Sequence, residues 1–99
     1  MSPTDEARLC HSETLYSDER IRISRFTLAP GTTTGAHTHE FDYVVAPIRG
    51  GTVTIESDGN LSEFDLVAKA PYQRSRGTHH SLTNRTRETI EFVEIEYLT

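Results

Sequence analysis

The feature that most limits what this chain can fold into is its punctuation. Pro30-Gly31, Gly50-Gly51, Asp58-Gly59, Arg76-Gly77 and the polar run Asn84-Arg85-Thr86-Arg87 cut it into short segments. Glycine and proline interrupt regular elements, and Asp-Gly is a strong signal for a two-residue hairpin. Between these breaks the apolar residues alternate and do not recur at helical spacing. Val53 and Ile55 share one face of a segment over residues 52–57, and residues 61–67 return from the Asp58-Gly59 turn. Residues 88–98 form a long closing strand with Ile90, Phe92, Val93, Ile95 and Tyr97 as its apolar set. Over residues 20–29, Ile21 and Ile23 share one face and Phe26 and Leu28 the other, a change of phase that predicts a bulge. Residues 7–16 read as an edge strand and 68–74 as a shorter one, with Pro71 confining it to an edge or a bulge. Residues 32–35 read as a loop. No helix is expected. Many short strands at close spacing imply an all-β sandwich or barrel.

The segment over residues 36–46 carries the chemistry. Alternate side chains of a strand point to one face, so His37 and His39 project the same way, roughly 6.5–7 Å apart at Cα. Two imidazoles at that separation can converge on one metal ion, with bonds of about 2.0–2.1 Å for zinc. The same parity puts Phe41, Tyr43 and Val45 on the histidine face, which reads as a barrel interior. Glu40 and Asp42 fall on the outer face with Thr38 and Val44. A second stretch, Gly77-Thr78-His79-His80-Ser81-Leu82-Thr83-Asn84, offers a third histidine from another strand.

Composition narrows the classes. The 99 residues suffice for one domain with a thin core. Ten basic residues against fifteen acidic ones give a net charge of −5, which argues against generic binding to nucleic acid. Nine of the ten basic residues are arginine, the residue suited to bidentate carboxylate or phosphate contacts. Cys10 is the single cysteine, so no internal disulfide forms; beside His11 it reads as a small buried thiol next to a surface imidazole. Residues 2–6 are polar and acidic, unlike a secretory leader, and no apolar run approaches the ~20 residues of a membrane helix. A soluble cytoplasmic protein is expected, with residues 1–6 a flexible tail and 7–99 a single domain.

The two histidine stretches resemble the two cupin motifs. Gly31, His37, His39 and Gly50 fall at the matching places of Gly-x5-His-x-His-x3-Glu-x6-Gly, with Tyr43 standing at the glutamate position. Gly77, His80 and Asn84 match Pro-x-Gly-x2-His-x3-Asn, with Ser75 at the proline position. The resemblance implies a double-stranded β-helix, the jelly-roll barrel of cupins. It also makes His80, not His79, the third ligand beside His37 and His39. The run His39-Glu40-Phe41-Asp42-Tyr43-Val44-Val45-Ala46-Pro47 is further similar to His-Glu-Tyr-Asp-Tyr-Val-Val-x-Pro of small single-domain cupins linked by name to β-alanine degradation. Those proteins share the tyrosine, and residues 92–96 resemble their ends.

A divalent metal is therefore expected, with iron, zinc, manganese and nickel all open. Tyr43 removes the negative charge that the motif glutamate would bring. Three roles are open to it: a phenolate ligand, a hydrogen-bond donor at the metal, or a core aromatic. It is the candidate catalytic residue. Phe41 on the histidine face and Arg74 ahead of the second motif are the candidate substrate-binding residues, Arg74 for a carboxylate. The expected function is a metal-dependent enzyme on a small, carboxylate-bearing substrate, most like the three-histidine oxygenases. The alternative is a non-catalytic binding or sensing protein with a structural metal. A homodimer is expected because the core is thin and the long terminal strands are apolar on both faces.

Overall fold

The alternating segments fold as strands, and among the described residues every regular element is one. The computed structural model describes residues 8–99; the expected tail and Ala7 lie outside that range. The strands are β1 (Arg8–Leu9), β2 (His11–Ser17), β3 (Ile21–Leu28), β4 (Thr32–Thr33), β5 (His37–Thr38) and β6 (Tyr43–Arg49). They continue with β7 (Gly51–Ser57), β8 (Asn60–Leu66), β9 (Tyr72–Arg74), β10 (His79–Thr83) and β11 (Ile90–Tyr97). One sheet runs β1-β4-β10-β7-β8, with β5 also paired to β10; the other runs β2-β3-β11-β6-β9. The two sheets make the double-stranded β-helix. Their inner faces enclose a core of Leu28, Tyr43, Val45, Val53, Leu66, Leu82, Ile90 and Phe92. Phe26 and Phe92 stack across β3 and β11 with centroids 5.2 Å apart.

The Asp58-Gly59 hairpin forms as expected. Ser57 pairs with Asn60, and the two turn residues take φ of 54° and 81°. Both positive values belong to the tight turn whose twist matches the flanking strands. Gly50 answers to a close approach instead: a Cβ there would lie 2.3 Å from the Leu66 carbonyl oxygen.

Five expectations need correction. The histidine strand is not continuous over residues 36–46. It stops at Thr38 and resumes at Tyr43, because the chain there changes sheets. His39 N donates to Thr78 O at 2.9 Å, on the β10 side, whereas Asp42 O accepts from Tyr97 N at 3.0 Å, on the β11 side. The expected edge strand over 7–16 breaks at Cys10 for the same reason: β1 lies in one sheet and β2 in the other. No bulge interrupts β3, whose eight residues pair with β11 in unbroken register; the irregularity lies in its neighbour β2, between Thr14 and Tyr16. Thus Ile21 and Ile23 occupy the outer face of a regular strand. Over residues 68–74 only β9 is extended; Ala70 N bonds Val67 O in a turn, and Lys69 takes φ 69°. Thr32 and Thr33, read as loop, pair with β1 and β10.

Candidate metal centre

The three histidines meet. β5 and β10 run antiparallel with His37 opposite His80. Residues paired in this way project to one face. His39, one residue past β5, is held by its backbone N to Thr78 O and by Gly77 N to its own carbonyl, at 2.9 and 2.8 Å. That second bond is made from a turn in which Gly77 adopts φ 91°, a conformation costly for other residues. The second motif is anchored by Asn84, which is fully buried. Its amide donates to Leu28 O and Glu88 O at 2.7 and 2.8 Å, and its oxygen accepts from Thr86 N and Oγ1 at 2.9 and 2.7 Å.

His39 Nε2 lies 3.0 Å from His37 Nε2 and 3.2 Å from His80 Nε2. The potential ligand atoms of the three lie within 4.8 Å of one another, and among the described residues no carboxylate belongs to the group. His37 Nδ1 donates to Gly35 O at 2.8 Å. A carbonyl only accepts, so Nδ1 carries the proton and Nε2 presents its lone pair to the cluster. Burial, and secondarily the charge of His37, push His39 down to about 4. His80 is likewise lowered to about 4, by burial first and then by its histidine neighbours. At neutral pH His39 and His80 are uncharged. Their Nε2 atoms stand close enough to their neighbours either to share a proton in N–H···N contacts or to surround a cation. Ligand nitrogens about 2.1 Å from one ion stand ~3.0 Å apart at a right angle. The observed spacing fits a metal.

Tyr43 lies against this cluster. It is 1% exposed, and its ring stacks on His39 with centroids 3.8 Å apart and planes 14° from parallel. Its hydroxyl is buried and makes no hydrogen bond among the described residues. Burial first, and the nearby Glu94 second, push the phenol up to about 12. Thr78 pulls weakly the other way, but its hydroxyl donates to Ser75 O at 2.7 Å and makes no well-formed bond to the phenol.

Two of the cavities that reach the histidines also share Glu94. The larger, about 460 Å³, is lined by Arg22, Phe26, Thr34, His37, His39, Glu40, Glu94 and Glu96 among others. The smaller, about 40 Å³, lies between Tyr43, Val53, Ile55, Phe64, Tyr72, Arg74, His80 and Glu94. Arg74 is paired with Tyr43 in the β6–β9 register, and its guanidinium carbon stands 4.4 Å from the centroid of Tyr72 and 5.3 Å from that of Phe64. Phe41 lies elsewhere. It is half-buried in a cleft with Asp42, Arg76, Tyr97 and Leu98, apart from the lining of both histidine cavities. Alternation does not carry across the corner at residues 39–42. For the same reason Glu40 reaches the rim of the larger cavity. His79 faces away, its Nδ1 2.6 Å from Thr38 Oγ1. Cys10 packs against the core, with its thiol pKa raised chiefly by burial, and His11 is exposed.

The sequence reading missed the acidic side of the larger cavity. Glu94 is 7% exposed. Burial, then the charge of Glu96, push it up to about 7. Glu96 holds Arg22 through Nε at 2.8 Å and Nη2 at 3.2 Å. Parity would have found them: counting by twos from Ile90 and Phe92 reaches Glu94 and Glu96, and from Leu28 and Phe26 reaches Ser24 and Arg22.

No family model matches the chain. It is 36% identical over 76 residues to the beta-alanine degradation protein BauB of Pseudomonas aeruginosa, covering 77% of this chain and 80% of that protein. The chain is a cupin of the BauB-like family. Among solved structures, this cupin is similar to a cupin domain from Bordetella pertussis, with 28% identity, TM-score 0.89 and coverage of 93% of this chain and 96% of that one. It is also similar to a cupin superfamily protein from Desulfitobacterium hafniense, with 21% identity, TM-score 0.71 and coverage of 95% and 84%. The second likeness speaks to the fold alone. Among the described residues, no helix of this cupin is long and apolar enough to cross a membrane.

Proposed function

We propose that this cupin is a metal-dependent enzyme acting on a small carboxylate-bearing molecule, in the manner of the three-histidine oxygenases. The observation that supports it most is the convergence of three imidazole nitrogens with no carboxylate among them. His37, His39 and His80 would hold the ion, and imidazole ligation suits iron, zinc, manganese and nickel. When bound, the metal supplies Lewis acidity or, if redox-active, oxygen chemistry. The chain's own residues set the rest. Tyr43 keeps its proton at neutral pH, so its buried hydroxyl is a donor on the ligand side, suited to orienting a substrate oxygen. Arg74 has no carboxylate partner among the described residues and neighbours Tyr43 in register, which supports it as the anchor for a substrate carboxylate. Phe41, in its separate cleft, has no part in this reading. The relative's name attaches to β-alanine degradation, which favours a short acid as ligand.

Elemental analysis of protein purified without a histidine tag, followed by oxygen-consumption assays on short carboxylates, tests the proposal. Redox-active metal with substrate-dependent oxygen uptake is expected. A tightly held redox-inert metal and no turnover would leave a binding or sensing protein with a structural metal. We also propose a homodimer. The outer face of the second sheet gathers Ile21, Ile23, Val93 and Ile95, none of them fully buried, beside the exposed Tyr16 and Tyr97. Sedimentation at micromolar concentration giving a mass near 11.2 kDa would remove that assembly.

A further inference from the structure

Glu94 is the buried group that the proposed reading leaves unused. It points inward from β11 between Phe92 and Glu96, 7% exposed, and lines both cavities at the histidines. Among the described residues no hydrogen bond or ion pair reaches its carboxylate; the ion pairs present join Arg22 to Glu96 and Arg25 to Glu13 and Glu91. Taking a carboxylate out of water costs several kcal/mol unless a cation or donors meet it. Among the described residues, Arg22 is the one permanent cation lining the larger cavity, and it is committed to Glu96 by two bonds. Nor does Glu94 belong to the group of atoms that could share a metal. The larger cavity thus presents three carboxylates, those of Glu40, Glu94 and Glu96, against one occupied guanidinium. An anion entering by itself would meet like charge there. A molecule with a positive end would not.

We propose that Glu94 receives the ammonium group of a small amine-bearing ligand, whose anionic end lies toward the histidines and Arg74. An ammonium carries three donors on one compact charge, suited to a carboxylate at a cavity wall. A cavity of about 460 Å³ accommodates a small metabolite and its waters. Only the placement of the anionic end rests on the metal reading; the amine end stands without it.

The test is calorimetric binding of three probes on one carbon skeleton, propylammonium, propionate and 3-aminopropionate, at pH 8. Each is titrated into the metal-free protein and into protein loaded with zinc. Propylammonium is expected to bind the metal-free protein, and Glu94→Gln to weaken that binding tenfold or more while the zinc content stays unchanged. The zinc-loaded protein is expected to bind 3-aminopropionate at least tenfold more tightly than propionate. A chain that takes up no zinc yet binds propylammonium through Glu94 upholds the amine site and removes the metal reading. Propionate binding as tightly as 3-aminopropionate, with propylammonium ignored, overturns the amine site. So does a Glu94→Gln variant that loses its zinc, since Glu94 would then be a ligand of the ion.

Discussion

The two sheets divide the work of the site. β5 and β10, in one sheet, carry His37 and His80, and backbone bonds to the turn before β10 hold His39 beside them. The facing sheet contributes Arg22 from β3, Tyr43 from β6, Arg74 from β9, and Glu94 and Glu96 from β11. The first set is convergent, with His39 and His80 uncharged at neutral pH, and in the proposed reading it would grip a cation. The second is ionisable and spread around two cavities, shaped to meet whatever binds beside it. Metal binding and ligand chemistry should therefore separate by substitution, one sheet at a time.

The largest effect should come from the gripping side. His37→Ala, His39→Ala or His80→Ala should each lower metal content more than tenfold, while His79→Ala should leave it unchanged, because His79 bonds Thr38 on the far side of the strand. Metal analysis of the four variants decides this. Retention of metal by His80→Ala together with its loss by His79→Ala would break the alignment of the second motif.

An intermediate effect should come from β11. The Glu94 carboxyl is raised from 4.5 to about 7 by burial and by Glu96. The folded, metal-free protein therefore keeps a proton there that the unfolded chain releases near its ordinary pKa. The contribution of this group to stability is fully present below about pH 4.5 and declines as pH rises to about 7, a loss of about 3 kcal/mol in all. Glu94→Gln should flatten that decline. Denaturant unfolding of both metal-free proteins at pH 5 and pH 8 measures it. Parallel losses in the two would mean that Glu94 is solvated and already charged.

Tyr43→Phe should change stability least. Its hydroxyl is buried without a partner among the described residues, so removing it should leave stability unchanged or raise it by about 1 kcal/mol. Metal content should hold, and turnover or ligand affinity should change. A variant that unfolds normally but comes out empty of metal would make the phenol a ligand.

The sheet that carries the histidines was legible in the sequence and the sheet that faces it was not. His37, His39 and His80 announce themselves by residue type and spacing, and the glycines and Asn84 that frame them hold turns whose geometry is local. Arg22, Glu94 and Glu96 carry no such mark. They sit in strands that are apolar on both faces, so reading β11 by its hydrophobic residues joined Val93 and Ile95 to Ile90 and Phe92, although these point to opposite sides. The expected place of Phe41 on the histidine face failed for a different reason. Parity is a property of one extended strand, and residues 39–42 form a corner whose partners come from distant β10 and β11, which short-range pattern does not reveal. Tyr43 kept its expected side because it follows that corner and packs on His39.

The position of β11 has a consequence for the order in which the molecule can be made. It lies between β3 and β6 and pairs along its whole length with β3, yet it follows both in sequence. A ribosome adds about 5–20 residues each second from the N-terminal side. Until Ile90–Tyr97 has emerged, the second sheet can exist only as two separate pairs, β2 with β3 and β6 with β9. Each of those pairs then carries an open edge, with its ladder donors and acceptors free to recruit a strand from another nascent chain. Insertion of β11 closes both edges at once, and the same strand brings Glu94 and Glu96 to the histidines.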